Sequence, residues 1–162
     1  MEQELRDASQ NGDSSEVSSL LLKGINVNCA DENGSTPLHK AAWRGHTEVV
    51  TILLEKRASI EAADKNEFTP LHKAAYYGHS EVVTILLDKG AFLEAADKNG
   101  FTPLILAARK GKSKVVTILL DKGAFLEAAD EDGNTPLHNA ARNGKLEVVK
   151  LLLARGARPD IR

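Results

Sequence analysis

The apolar residues of this chain fall into two alternating blocks. A short block, as in Pro-Leu-His-Lys-Ala-Ala-Tyr-Tyr at Pro70–Tyr77, is followed after Gly78-His79 by a longer one, Ser-Glu-Val-Val-Thr-Ile-Leu-Leu-Asp-Lys at Ser80–Lys89. The longer block places apolar side chains at helical spacing, with charged residues at its ends. Both blocks recur. The dipeptide Thr-Pro appears at Thr36, Thr69, Thr102 and Thr135, each 33 residues after the last. A period of this length is the mark of stacked structural repeats.

Aligned on the aspartate that opens each unit, the chain reads as four repeats, 31–63, 64–96, 97–129 and 130–162, preceded by a degenerate unit at 1–30. Together they are expected to form one domain. The local signals within a unit agree. Asp64-Lys65-Asn66 reads as a turn, because Asp and Asn side chains hydrogen-bond their own backbone there. Thr69 stands at a helix N-cap, with Pro70 at the first helical position, where its missing N–H costs nothing. The short helix stops at Gly78. Ser80 is expected to cap the second helix, and Gly90 to end it in the left-handed region.

These features resemble the ankyrin repeat over essentially the whole chain. The residues that carry the resemblance are the 33-residue step, Thr-Pro-Leu-His at Thr36–His39, Thr69–His72 and Thr135–His138, the Ala-Ala pairs such as Ala41-Ala42, and the Val-Val…Leu-Leu second helix. It implies an all-α solenoid of stacked helix-turn-helix units linked by β-turn loops. It also implies a non-catalytic module that binds a protein or peptide partner. The alternative is a structural scaffold, or a designed ankyrin-repeat protein, without a physiological partner. The closely matched second and third repeats fit either recent duplication or design.

A single helix pair of this length cannot bury its own apolar face, so neighbours must share a core. Leu71, Ala74, Ala75, Val82, Val83, Ile85, Leu86 and Leu87 are the expected core of one unit. The first unit places Ser18 and Ser19 where the next has Val50 and Thr51, as a terminal cap requires. The last unit keeps Val148, Val149, Leu151, Leu152 and Leu153 apolar. Either the chain continues in a longer protein or this face is bare and uncapped, in which case self-association through it is the expectation.

Equivalent positions vary in two places. The turn tips carry Glu32, Asn33 and Ser35, then Lys65, Asn66 and Phe68, then Lys98, Asn99 and Phe101, then Glu131, Asp132 and Asn134. The first helix ends on Trp43-Arg44, Tyr76-Tyr77, Arg109-Lys110 and Arg142-Asn143 in successive repeats. The resemblance implies that such positions line a concave partner-binding groove. Five of the seven aromatic residues lie in these two sets. Since sister positions hold Arg, Lys, Asn and Ser, the rings are expected at the surface, where Trp, Tyr and Arg dominate binding energetics. The candidate partner-binding residues are Trp43, Arg44, Phe68, Tyr76, Tyr77, Phe101, Arg109, Lys110 and Arg142. Phe92 and Phe125 share another position, either packed between neighbouring loops or exposed.

Charge adds direction. The net charge is −2 overall, but the units run −3, −1, −2, +3 and +1 from the N-terminus. Arg109, Lys110, Lys112 and Lys114 concentrate the positive end, suited to an acidic partner segment. The acidic N-terminal half argues against nucleic acid. No apolar run approaches the roughly 20 residues of a membrane span. The polar, acidic start and the single cysteine, Cys29, point to the cytoplasm or nucleus.

No nucleophile elbow, phosphate loop or metalloprotease motif appears, so neither a catalytic residue nor a cofactor is expected. The resemblance assigns His39, His72 and His138 to hydrogen bonds that pin the turn. His46 and His79 recur at a fixed offset and read as structural, so no metal site is expected either. Glu61, Glu94 and Glu127 recur likewise, as part of the framework. Glu67 and Arg57 replace glycines found in the sister repeats, and each is expected at positive φ. Ile105 stands where the sister repeats have histidine, so a turn must be held differently there.

Overall fold

The computed structural model describes residues 1–160 and contains ten helices among them. They form five pairs: α1 (Glu2–Asn11) and α2 (Ser14–Leu22), α3 (Pro37–Arg44) and α4 (Thr47–Glu55), α5 (Pro70–Tyr77) and α6 (Ser80–Asp88), α7 (Pro103–Lys110) and α8 (Ser113–Asp121), α9 (Pro136–Arg142) and α10 (Leu146–Ala154). First helices pack on first helices and second helices on second helices, each against its neighbours in sequence order. The result is a two-layer stack.

Each first helix starts as its sequence dictates. Thr69 Oγ1 accepts from His72 N–H at 3.3 Å, and Thr69 N–H donates to His72 Nδ1 at 3.0 Å, a reciprocal capping box. Because Nδ1 accepts, the ring proton sits on Nε2, which donates to the Phe101 carbonyl of the next turn at 2.9 Å. His39 does the same for Phe68 at 2.8 Å. One side chain therefore closes its own helix start and ties it to the next repeat.

The turns are built by their aspartates. Asp64 Oδ1 accepts from Asn66 N–H and Phe68 N–H, and its N–H donates to the Phe68 carbonyl. Adjacent tips are then joined by backbone bonds, Lys65 N–H to Asn33 O at 3.0 Å and Lys98 N–H to Asn66 O at 3.2 Å. On the other side, Glu61 and Glu94 accept from the N–H groups of Phe92 and Phe125 in the following repeat, at 2.6 and 2.7 Å. The recurring glutamates are thus links between repeats.

Between the layers, Leu71, Ala74, Ala75, Val82, Val83 and Leu86 are buried. The alanines let helices approach closely, and the branched residues fill the remaining space. Ile85 and Leu87, expected in the core, are only partly buried, on the edge of the second-helix layer. The second helices also begin differently from expectation. His79, not Ser80, is the N-cap, with no side-chain capping bond, and Ser80 is already helical.

The structure re-registers the first unit by one residue. Helix α2 aligns with α4 so that Val17 matches Val50 and Ser18 matches Thr51. The polar replacements are Glu16, exposed where Val49 is buried, and Ser19 in place of Ile52. At the opposite end Ala141 is exposed and Val149 half-buried, although Ala108 and Val116 are fully buried. Leu146 and Leu153 are 64% and 45% exposed on the same helix.

In the third repeat, Ile105 keeps the backbone cap to Thr102 but has no ring to reach the fourth turn. That turn keeps the backbone bond from Glu131 N–H to Asn99 O at 3.1 Å and is otherwise held locally. Asn134 donates to Asp130 at 3.4 Å, and Arg142 donates to Asn134 Oδ1 at 3.4 Å. The same repeat has Leu106 where its sisters have Lys40 and Lys73. The buried Oδ2 of Asp97 consequently lacks the lysine that pairs with Asp31 and Asp64.

Arg57 and Glu67 adopt φ of 65° and 63°. At Gly24, Gly90, Gly123 and Gly156, the sister positions of Arg57, an added Cβ would meet nothing within 4 Å. At Gly34 and Gly100, the sisters of Glu67, it would meet backbone of the next turn at 3.2 and 2.8 Å. Arg57 therefore carries backbone strain alone, whereas Glu67 carries strain and a close approach. Arg57→Gly is expected to raise stability by about 1 kcal/mol and Glu67→Gly by more. Urea unfolding of both variants checks this ordering, and a lowered midpoint for either refutes it.

Burial lowers the pKa of His39 and of His72, against the opposing pull of their bonds to the Phe68 and Phe101 carbonyls. Both rings are neutral when folded and gain protons more readily when unfolded. The stability they contribute is present above about pH 6.5 and is lost as pH falls towards their depressed folded values. The melting temperature, followed by circular dichroism, is expected to drop across that window. Replacing both residues by Ile, as at Ile105, should flatten the drop.

Candidate functional site

The ends of the first helices and the tips of the turns lie on one face, and the side chains that vary between repeats meet there. The Trp43 ring lies 6.2 Å from Tyr77, and Tyr77 lies 4.8 Å from Tyr76. Cations enclose this cluster. The Arg44 guanidinium sits 4.3 Å over Trp43 and the Lys110 ammonium 4.6 Å over Tyr76. One continuous ladder, Arg44–Trp43–Tyr77–Tyr76–Lys110, thus crosses three repeats. Such contacts add about 0.5–1 kcal/mol at exposed sites and fix ring orientation.

The turn tips form a second, parallel row. Lys73 lies 4.8 Å over Phe68, and Arg109 lies 5.1 Å over Phe101. Phe68 also stacks on His72, with centroids 5.4 Å apart. Arg44, Tyr77, Lys110 and Arg142 are exposed, while Trp43, Phe68, Tyr76, Phe101 and Arg109 are half-buried. None of the nine is buried. Half-buried rings supported from beneath keep an open face at little entropic cost on binding.

The framework positions the ladder. Helices α1, α3, α5 and α7 each end on a glycine at positive φ, as Gly45 and Gly78 do at 77° and 78°, whereas α9 ends on Asn143. Any Cβ at Gly45 would strike the His79 ring, and any at Gly78 would strike Lys112. The His79 ring sits there because its Nε2 bonds the Trp43 carbonyl at 2.8 Å, as His46 bonds the Gln10 carbonyl. The recurrence of His79 marks it as framework, but nothing in the sequence shows that it anchors the backbone of Trp43. The sequence also gives no sign that Lys110 reaches back over Tyr76, since no motif encodes a contact between repeats.

Phe92 and Phe125 are 60% and 62% exposed, so the packed alternative for them does not hold. Among the described residues, no cluster of three His, Cys, Asp or Glu side chains has the geometry to hold a metal ion. No described helix is long and apolar enough to cross a membrane. Cys29 is buried, and its burial raises the thiol pKa against the nearby charge of Arg6.

A stack of short helix pairs with a constant framework and a variable aromatic and cationic face defines a repeat scaffold. The family model for ankyrin repeats, which spans three copies, matches residues 5–97 and again residues 92–162. The chain belongs to the ankyrin-repeat family. Ankyrin repeats are generally protein–protein interaction modules, and the family is generally non-catalytic. No match to this chain was found among curated proteins.

Trp43 is the only tryptophan, so its fluorescence reports on the ladder alone. Arg44 lies over the ring, while Lys40 and Lys73, which line the adjoining cleft, are each paired with an aspartate, so the guanidinium of Arg44 is the charge that faces the indole. At low ionic strength, iodide is expected to quench this emission more strongly relative to caesium than it does for free N-acetyltryptophanamide. An equal ratio for the two would contradict this description of the site.

Proposed function

We propose that this face binds a protein partner, with Trp43, Tyr76 and Tyr77 as the central anchor. Arg109, Lys110 and Arg142 form a cationic flank that takes an acidic segment of the same partner. The supporting observation is the ring-and-cation ladder across three repeats. A spacer with no partner has no use for it, and exposed aromatic patches carry an aggregation liability. The mechanism is rigid display: the repeats hold the rings in place before contact, so little ordering entropy is lost on binding. Surface cations speed and orient the encounter more than they add affinity.

The test is affinity capture with the wild-type chain beside a Trp43, Tyr76, Tyr77 triple alanine variant, each confirmed as folded by circular dichroism. Partners of this face should bind the variant about a hundredfold or more weakly, as loss of central aromatic anchors implies. A folded variant that retains every partner would overturn the proposal.

A second reading rests on Leu146, which replaces Thr47, Ser80 and Ser113 of the sister repeats. It stands exposed at helical spacing from Val149 and Leu153 on α10, the last of the described helices. We infer that two copies associate through this face. Sedimentation velocity should show concentration-dependent dimers that Leu146→Ser removes; a strictly monomeric wild-type chain at high concentration would exclude them.

A further inference from the structure

Beside the ladder, between the first and second repeats, lies a cavity of about 180 Å³ lined by Ser35, His39, Lys40, Trp43, Lys73 and Tyr77. It is large enough for one side chain of a partner, and its origin is local. Ser35 is the small member of a position that holds Phe68, Phe101 and Asn134 in the sister repeats. Lys40 and Lys73 are also the only adjacent repeat pair with lysine at their position, because Leu106 and Asn139 follow. The room and the two ammonium groups therefore coincide at this one junction.

The electrostatics of the cavity favour an anion. Lys40 Nζ bonds Asp31 at 2.9 Å and Lys73 Nζ bonds Asp64 at 3.1 Å. These carboxylates are already engaged by the turns. Asp31 Oδ1 accepts from Asn33 and Ser35 N–H groups, and Asp64 Oδ1 accepts from those of Asn66 and Phe68. Much of their charge is thus compensated by backbone donors, while each ammonium has N–H groups left over. The lysine side chains are 22% and 23% exposed, so water screens them only in part. His39 is committed through both ring nitrogens and offers no acceptor. A partner ammonium would meet two like charges, and an apolar side chain would strip water from both without replacing it.

We propose that this cavity is an acid-reading subsite, in which an Asp or Glu side chain of the bound partner places its carboxylate between Lys40 and Lys73 and lays its methylene stem against the Trp43 and Tyr77 side chains that line it. The inference rests on the preceding proposal that the ladder face binds a protein, and it names what that face selects. Charge-assisted hydrogen bonds in a half-buried setting supply the selectivity.

The test selects random displayed peptides on the wild-type chain. The best binder is then synthesised with capped termini, alongside its Glu→Gln or Asp→Asn counterpart. Two variants use substitutions that sister repeats already tolerate: Ser35→Phe, which fills the cavity, and Lys73→Leu, which removes one ammonium. Circular dichroism and melting verify that both fold. Selected peptides should share one acidic position, and neutralising it should weaken binding about tenfold or more. Each variant should weaken the acidic peptide while leaving acidic and neutral peptides nearly equal, the signature of a direct coupling.

Peptides that require the aromatic anchor but share no acidic position, or bind equally well when neutralised, would overturn the subsite and leave the ladder proposal standing. So would an unchanged preference for the acidic peptide in Ser35→Phe. Peptides that bind the triple alanine variant as tightly as wild type would overturn both.

Discussion

The structure depends on one constraint: helices of seven to ten residues cannot bury their apolar faces alone. Each pair borrows half of its core from its neighbours, and that shared layer of Leu, Val and Ala is fully buried in every internal repeat. A polar lattice runs on either side of it. His39 and His72 bond the next turn's carbonyl, and Glu61 and Glu94 bond the next loop's N–H. These bonds set the register between repeats, which apolar contact alone leaves free to slide. Because each is made across a junction, each repeat orients the one beside it.

The same lattice supports the aromatic and cationic face. Trp43 lies at the end of a short helix, a place that would fray if its carbonyl were unpaired. His79 of the following repeat satisfies that carbonyl. The face proposed for recognition is thus braced from behind by framework groups such as His79, and variation at its surface leaves the brace intact. The third repeat shows the limits of that tolerance. With Ile105 and Leu106 in place of His and Lys, it gains buried apolar surface but loses a bond to the fourth turn and leaves Asp97 without its lysine.

Much of the fold was legible in the residues. Thr-Pro fixes where the first helix of each of the four repeats begins, and Gly45 and Gly78 fix where two of them end. The positive φ of Arg57 and Glu67 followed from glycine at the sister positions. The expectations that failed involved helix starts and edges. Ser80 is a good capping residue, but it lies already inside the helix, and His79 takes the cap position. Ile85 and Leu87 match the helical period, yet they lie on the flanks of α6, packed against the core but only partly buried. The one-residue shift of Ser18 and Ser19 was invisible because a serine-rich helix has little apolar pattern to fix its phase.

By itself, the sequence determined that this is a stack of 33-residue helix pairs, which side chains form its framework, and which positions vary. Periodicity suffices for that, because capping, turn and core requirements act within one unit and repeat with it. Only the tertiary structure decided which varied side chains meet. Lys110 lies over Tyr76, Tyr77 faces Trp43, and Lys40 shares a cavity with Lys73. These are contacts between residues about 33 positions apart. They depend on the rise and rotation from one unit to the next, and that geometry is set by packing across the junction, which no single repeat contains.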